Sequence, residues 1–244
     1  MSKSKKFKIF IDPGHNDKGP DTGAVGNGLR EQDITFAIAH LLAKMFPDSV
    51  ETKLSRPTKD TILGTDLSTS LTKRAQLANA WGADLFIAIH TNAHTDASAN
   101  GTEVWSFTGE NDNDVLALEV CTALCKALGT THRGEKDASF AVLRQTNMNA
   151  ILIETAFITN PSDAEKLKTK QNVIAKAIAD AVIRHYNLQK TVKELTDAND
   201  ILWELMNGAL KVEILDTTRA LKHLEEAQKE NSSLYWILRK IVNS

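Results

Sequence analysis

Three apolar runs in this chain stop on residues that bind metals or move protons, and this pattern limits the fold more than any other feature. Lys8-Ile9-Phe10-Ile11 is broken by Asp12-Pro13-Gly14 and followed by His15. Asp84-Leu85-Phe86-Ile87-Ala88-Ile89 ends on His90, and Ile151-Leu152-Ile153 ends on Glu154. Short, largely branched apolar runs bounded by turn residues are buried strands. In an open α/β sheet, side chains just past the carboxyl ends of the strands converge on one crevice. A carboxylate set directly after three branched apolar residues is costly to bury unless it is paired, hydrogen-bonded or beside a cation.

A fourth residue joins them by a different route. Glu31 follows the stretch from Gly19 to Gly28, whose glycines permit tight turns back toward His15, and it stands where the first helical pattern begins. Taken alone, Glu31 is an acidic first-turn residue favoured by the helix dipole. Taken with the others, His15, Glu31, His90 and Glu154 can meet at one edge of one sheet.

The chain alternates strands with helices. Strands are expected near 6–11, 49–54, 84–90, 102–107, 140–144 and 151–155. Helical stripes run through Ile34, Ile38, Leu41, Leu42 and Met45, through residues 70–81, and from Val115 to Leu128. Asn160-Pro161-Ser162-Asp163 opens another helix, and Val173 to Tyr186 forms a longer one. The fold class is therefore α/β, a mostly parallel or mixed six-stranded sheet flanked by helices. Beyond about Asn187 the character changes: all five prolines and all glycines but Gly208 lie before that point. Residues 191–244 read as helix only, with nearly balanced charge. They are expected to form a small all-helical C-terminal module, a binding or oligomerisation unit after a larger first domain of residues 1–187. Alone, such a module is marginal for a core, so it should dock or pair with a second copy as a homo-oligomer.

A net charge of -2 argues against a nucleic-acid partner, and no run is long enough for a membrane span or a secretory segment. The chain is thus expected to be made in the cytoplasm without a signal peptide and to act elsewhere after release. Cys121 and Cys125, one helical turn apart, suit a buried pair of small apolar side chains better than a disulfide or a zinc knuckle.

Two imidazoles and a carboxylate with an open fourth position are the donor set of a hydrolytic zinc ion, and a second, unligated carboxylate can take a proton from water. Spacing leaves open which carboxylate binds. The segments Ile11-Asp12-Pro13-Gly14-His15, Gly28-Leu29-Arg30-Glu31, Ser55-Arg56-Pro57, Arg74-Ala75-Gln76-Leu77-Ala78-Asn79, Leu85 to Ala93, Gly101-Thr102-Glu103-Val104 and Ile153 to Asn160 resemble, in order, the zinc-dependent N-acetylmuramoyl-L-alanine amidases of the amidase-3 type. The resemblance covers about residues 6–186. It implies that His15, Glu31 and His90 bind one Zn2+ ion and that Glu154 is the catalytic carboxylate. It also implies bacterial peptidoglycan as the substrate, cut between the lactyl group of N-acetylmuramic acid and the first L-alanine of the stem peptide.

The sequence departs from that family after His15, where Asn16-Asp17 replaces a common glycine pair and should make the rim of the site more polar. No long insertion separates Thr91 from Val115, so the site should be open. The missing signal, with the small C-terminal module, fits a phage endolysin ahead of a sporulation-type autolysin. A zinc peptidase acting within the stem peptide is the nearest alternative chemistry, and a non-enzymatic wall-binding protein the alternative class. His94 follows His90 by four residues but lies in an expected loop. His132 is expected in a loop near the same edge, and Arg144 at the end of a strand. His40, His185 and His223 sit on helical patterns, and Trp203 and Trp236 read as core of the helical module.

Overall fold

The computed structural model describes residues 5–108 and 112–188. Expectations that fall on residues 191–244, including Trp203, Trp236 and His223, lie outside the described residues. The described elements, in order, are β1 (Phe7–Pro13), β2 (Val25–Gly26), β3 (Leu29–Arg30), α1 (Glu31–Leu42), β4 (Val50–Leu54), α2 (Leu67–Trp81) and β5 (Leu85–Asn92). There follow β6 (Thr102–Ser106), α3 (Asp112–Leu128), β7 (His132–Asp137), α4 (Ala141–Arg144), β8 (Asn149–Phe157), α5 (Pro161–Thr169) and α6 (Gln171–His185).

Six strands form one sheet in the order β4-β1-β5-β8-β6-β7, and β2 and β3 form a separate small antiparallel hairpin. The first four strands run parallel, β6 runs antiparallel to β8, and β7 is parallel to β6. The sheet is therefore mixed. The carboxyl ends of β1, β5 and β8 lie beside the amino ends of β6 and β7, and both sets border one crevice.

The continuous apolar runs follow from helices covering both faces. Phe10, Phe86, Ala88, Ala150 and Leu152 pack with Ala78 of α2 and Val142 and Leu143 of α4 in one cluster. Strand alternation sends Ile9, Ile11, Ile87, Ile89, Ile151 and Ile153 to the other face, where all six are fully buried. Among the helices, α6 packs against both α1 and α3, and these two pack against the strands. Fully burying such an aliphatic side chain is worth about 1.5–3 kcal/mol, so this double-sided packing fixes where each strand ends.

Local signals set the helix boundaries. Asp66 accepts from the Thr69 backbone N–H in a capping box that starts α2, and Gly82 stops the same helix in the left-handed region at φ 67°. Asn160 caps α5 by accepting from the amides of Ser162 and Asp163, with Pro161 in the first turn as expected. Asp163 reaches back into the sheet: its Oδ2 accepts from Gly101 N at 2.8 Å and Phe157 N at 3.2 Å.

Two expectations require correction. Residues 140–144 are not a strand; Ala141–Arg144 is one turn of helix, α4, whose Val142 and Leu143 fill the core under α2. The sixth strand is instead β7, His132–Asp137, so His132 lies in a strand and not in a loop. Arg144 consequently ends a helix, and its Nη1 donates to the Ser139 carbonyl at 2.6 Å and to Ser139 Oγ at 3.0 Å.

Candidate metal centre and catalytic carboxylate

The site is assembled where β1 breaks. Pro13 closes the strand, Gly14 N donates to Ile89 O at 2.9 Å, and His15 then adopts the left-handed region with φ 65°. A non-glycine residue rarely takes this conformation, and it persists where its surroundings enforce it. Gly14 leaves room for the ring of His90: a Cβ there would fall 2.4 Å from His90 Cε1. Gly23 does the same for Glu31 and His15, each with an atom 2.7 Å from where its Cβ would stand. These two glycines are needed for close approach, and the other short-loop glycines play no comparable part in the site.

His15, Glu31 and His90 meet here. One donor atom from each lies within 4.8 Å of the others, and the two imidazole rings stand edge to face with centroids 4.9 Å apart. His15 Nε2 is 3.2 Å from Glu31 Oε2, and His90 Nδ1 is 3.1 Å from Glu31 Oε1. Glu31 is further fixed by two amides, Ala24 N donating to Oε2 at 2.9 Å and Thr91 N donating to Oε1 at 3.0 Å. Burial pushes the Glu31 carboxyl up, but its hydrogen bonds to His15 and His90 outweigh that and hold it well below the usual carboxylate range.

The other nitrogen of His15 is also committed. Nδ1 lies 2.9 Å from Asp21 Oδ1, and because a carboxylate only accepts, Nδ1 carries the proton and Nε2 is turned toward Glu31. Burial pushes the His15 imidazole down, but hydrogen bonds to Asp21 and Glu31 prevail and raise its pKa to about 9. Burial likewise raises Asp21, yet His15, Ser70 and Arg74 bring it down to about 2. The corner is thus built for positive charge.

Behind it runs a buried network that sequence reasoning did not connect. Arg74 Nη1 donates to Asp12 Oδ1 at 2.7 Å and to the Pro13 carbonyl at 2.9 Å, while its Nη2 donates to Asp21 at 3.1 Å. Arg56 donates to the carbonyls of Pro13, Gly14 and Gln32, and Ser55 Oγ donates to Asp12. Arg56 and Arg74 are both 1% exposed. Both stand in segments that carry the resemblance, and their work is to hold the broken end of β1 in place.

Asn16 also proves to be structural. It is fully buried and clasps Leu63, donating to its carbonyl at 3.0 Å and accepting from its amide at 3.1 Å. The expected polar rim at Asn16-Asp17 is therefore reduced to Asp17, which accepts from Arg30.

Glu154 sits differently. It is in register with His90 on one side and with Glu103 on the other, so three polar side chains stand in a row across β5, β8 and β6. Its Oε2 is buried and has no hydrogen-bond partner. Burial, then the negative charges of Glu31 and Glu103, push its carboxyl well above the usual range. Glu103 is kept low instead, because Lys136 and Arg133 donate to its Oε2 at 2.6 and 2.7 Å and outweigh its burial.

His94 is not in this group. It is exposed, and its Nδ1 accepts from Asp96 N at 3.0 Å. His40 meets the carbonyls of Phe36 and Pro57, and His185 pairs with Glu119 at 2.9 Å. His132 lies beside Cys121 and Cys125 rather than in the crevice group.

Three convergent metal donors beside a carboxyl with one buried, unpartnered oxygen, at the carboxyl edge of an α/β sheet, define a candidate metallohydrolase centre. Residues 9–184 match the family model described as N-acetylmuramoyl-L-alanine amidase, Amidase_3, and the chain belongs to that family. It is 38% identical over 194 residues to the N-acetylmuramoyl-L-alanine amidase CwlM of Bacillus licheniformis, a match that spans 77% of this chain and 72% of that protein. It is 32% identical over 192 residues to the endolysin of Bacillus phage SPP1, spanning 75% of this chain and 67% of that one. The crystal structure of an N-acetylmuramoyl-L-alanine amidase from Clostridium difficile 630 superimposes with a TM-score of 0.68 at 32% identity, over 75% of this chain and 98% of that one. The chain is accordingly a peptidoglycan amidase by family, an enzyme of the hydrolase class. Among the described residues, no helix is long and apolar enough to cross a membrane.

Proposed function

We propose that this chain cleaves the amide between the lactyl group of N-acetylmuramic acid and the L-alanine of the stem peptide, with His15, Glu31 and His90 holding one Zn2+ ion and Glu154 handling the proton. The observation that carries this reading is the division of labour between the carboxyl groups. Glu31 shares its oxygens with two imidazoles and two amides, whereas Glu154 stands beside His90 with a buried oxygen that nothing engages.

The donor chemistry fits the ion: two imidazoles and one carboxylate suit zinc, with a position left for substrate or water. When bound, zinc supplies Lewis-acid polarisation of the scissile carbonyl, acidifies water and offsets the negative charge around Glu154. Asp21 holds His15 in the tautomer that presents Nε2, the usual role of a carboxylate behind a metal-binding histidine. Glu154, ionised, takes the proton of the attacking water at its free oxygen and delivers it to the departing alanine nitrogen. Arg133 and Lys136 hold Glu103 ionised, so the neighbouring carboxyl does not compete for that proton.

The biological setting we infer is lysis by a phage endolysin. The endolysin relative supports this. A bacterial autolysin is the second reading, favoured by the higher identity to the Bacillus licheniformis amidase. Residues 1–187 form the catalytic part in this reading, supported by a family match that ends at residue 184, and residues 191–244 serve wall binding or self-association.

The reaction is tested by digesting purified peptidoglycan and identifying the products. New N-terminal alanine, with the muramyl glycan left intact, is the expected result. Termini inside the stem peptide would instead make this a peptidase, and no new amine at all would end the hydrolase reading.

A further inference from the structure

A second group of metal donors lies outside the crevice. Cys121 and Cys125 stand one turn apart on α3, and His132 opens the edge strand β7 against which α3 packs. One donor atom of each of the three lies within 4.8 Å of the others. Both cysteines are free thiols.

Two thiols on one helix face are commonly small core residues, and that accounts for Cys121, which is fully buried. It does not account for an imidazole from another element closing on both. The sulfurs have only weak partners: Cys121 Sγ lies 3.4 Å from the Thr102 carbonyl and Cys125 Sγ 3.8 Å from the Thr131 carbonyl. His132 Nε2 lies 3.1 Å from Thr122 Oγ1, a contact that fixes the plane of the ring.

We propose that Cys121, Cys125 and His132 form a second metal site, separate from the hydrolytic centre, that takes a thiolate-preferring divalent cation such as zinc. The donor sets differ in kind. The crevice offers two nitrogens and a hard oxygen, whereas this site offers two sulfurs and a nitrogen and selects softer cations. On binding, each thiol releases its proton to solvent, two thiolates and a neutral imidazole donate electron pairs, and nothing is oxidised or reduced. Two thiolate charges cancel those of the divalent ion, which suits a site half removed from water. His132 is exposed, so solvent or an outside ligand completes the coordination. The bound ion ties α3 to β7, the strand that closes one edge of the sheet, and so staples the edge that carries Arg133 and Lys136 beside Glu103.

The test uses the full-length chain with its thiols reduced. Titration with Cd2+ or Co2+ should raise an ultraviolet sulfur-to-metal charge-transfer band that saturates by two equivalents in the native protein and at one in His90→Ala. The band should vanish in Cys121→Ser/Cys125→Ser, persist in His90→Ala, and need more metal in His132→Ala. Zinc content after dialysis should be two ions per chain in the native protein and one in Cys125→Ser. With zinc loaded, the Cys125→Ser variant should unfold at a lower temperature than the native chain, whereas with both stripped of metal the two should unfold at the same temperature. Absence of the band in the native protein, or its survival in the double serine variant, overturns the second site. Because the band is read in His90→Ala as well, failure of the hydrolytic reading and failure of this one are distinguishable.

Discussion

Glu31 and Glu154 are the same residue type at the same edge of the sheet, and their surroundings give them opposite characters. Glu31 enters from the first turn of α1, receives two amide hydrogen bonds and faces two imidazoles, and so is held ionised. Glu154 enters from a central strand between His90 and Glu103, is acted on by the charges of Glu31 and Glu103, and has a buried oxygen without a partner, so its proton is held tightly. Two carboxyls whose environments push their proton affinities apart make an ionised and a protonatable group from one chemistry, which is how a hydrolytic site obtains both a ligand and a base. Identity of side chain says little about role here; the number of donors aimed at each oxygen says most.

The comparison is broken most directly by exchanging each carboxylate for its amide. Glu154→Gln should keep bound zinc near one equivalent in the crevice while turnover on peptidoglycan falls by about 10^2–10^4-fold, the usual worth of a general base. Glu31→Gln should lose the metal and the turnover together, because an amide cannot supply the charge that the two imidazoles face. Metal analysis on the two variants decides. Equal metal loss in both would make Glu154 a ligand and dissolve the distinction.

A smaller effect should come from behind the metal corner. Asp21→Asn removes the charge that holds the Nδ1 proton of His15, and loss of such a partner typically weakens metal affinity by about 10–100-fold. Competition against a chelator measures it. The same change also leaves Arg74, buried and otherwise shared with Asp12, with one charge partner fewer. A cost of about 3–5 kcal/mol is usual for breaking a buried pair, so unfolding must be followed alongside. Weakened affinity with intact cooperative unfolding would isolate the tautomer effect.

Asp21 also marks where sequence reading stops. His15, His90 and Glu154 were legible because each ends an apolar run, and the run itself says that the residue after it reaches the sheet edge. Glu31 needed the resemblance, since an acidic residue in a first turn is ordinary. Asp21, Gly14 and Gly23 act through distances set by packing, between segments that nothing local connects. The misread strand has a similar cause. Phe140-Ala141-Val142-Leu143 is an apolar run of four, too short for its period to separate strand from helix. The real strand, His132-Arg133-Gly134-Glu135-Lys136-Asp137, has no apolar residue at all, because an edge strand is protected by charge and need not bury a face. The cysteine pair was read as packing for want of a third donor, which only the pairing of β7 with β6 brings to it.

The mildest consequence of the contrast concerns stability and not turnover, and it is best read in metal-free protein. The Glu154 carboxyl is raised above its ordinary value of 4.5 in the folded chain, so between that value and its folded one the unfolded chain binds fewer protons than the folded chain. Stability must therefore fall as pH rises through that window, the reverse of what Asp21 contributes. Asp21, lowered to about 2 from 3.8, adds stability above its unfolded value that is lost as pH falls toward 2. Glu154→Gln removes the first dependence and leaves the second. The thermal midpoint of the variant should match the native chain below about pH 4.5 and exceed it increasingly as pH rises above that value, a gain in stability obtained by discarding the proposed base. A native midpoint that rises with pH in parallel with the variant's would mean that Glu154 ionises freely in the fold, and the asymmetry between the two carboxyls would have to come from the metal alone.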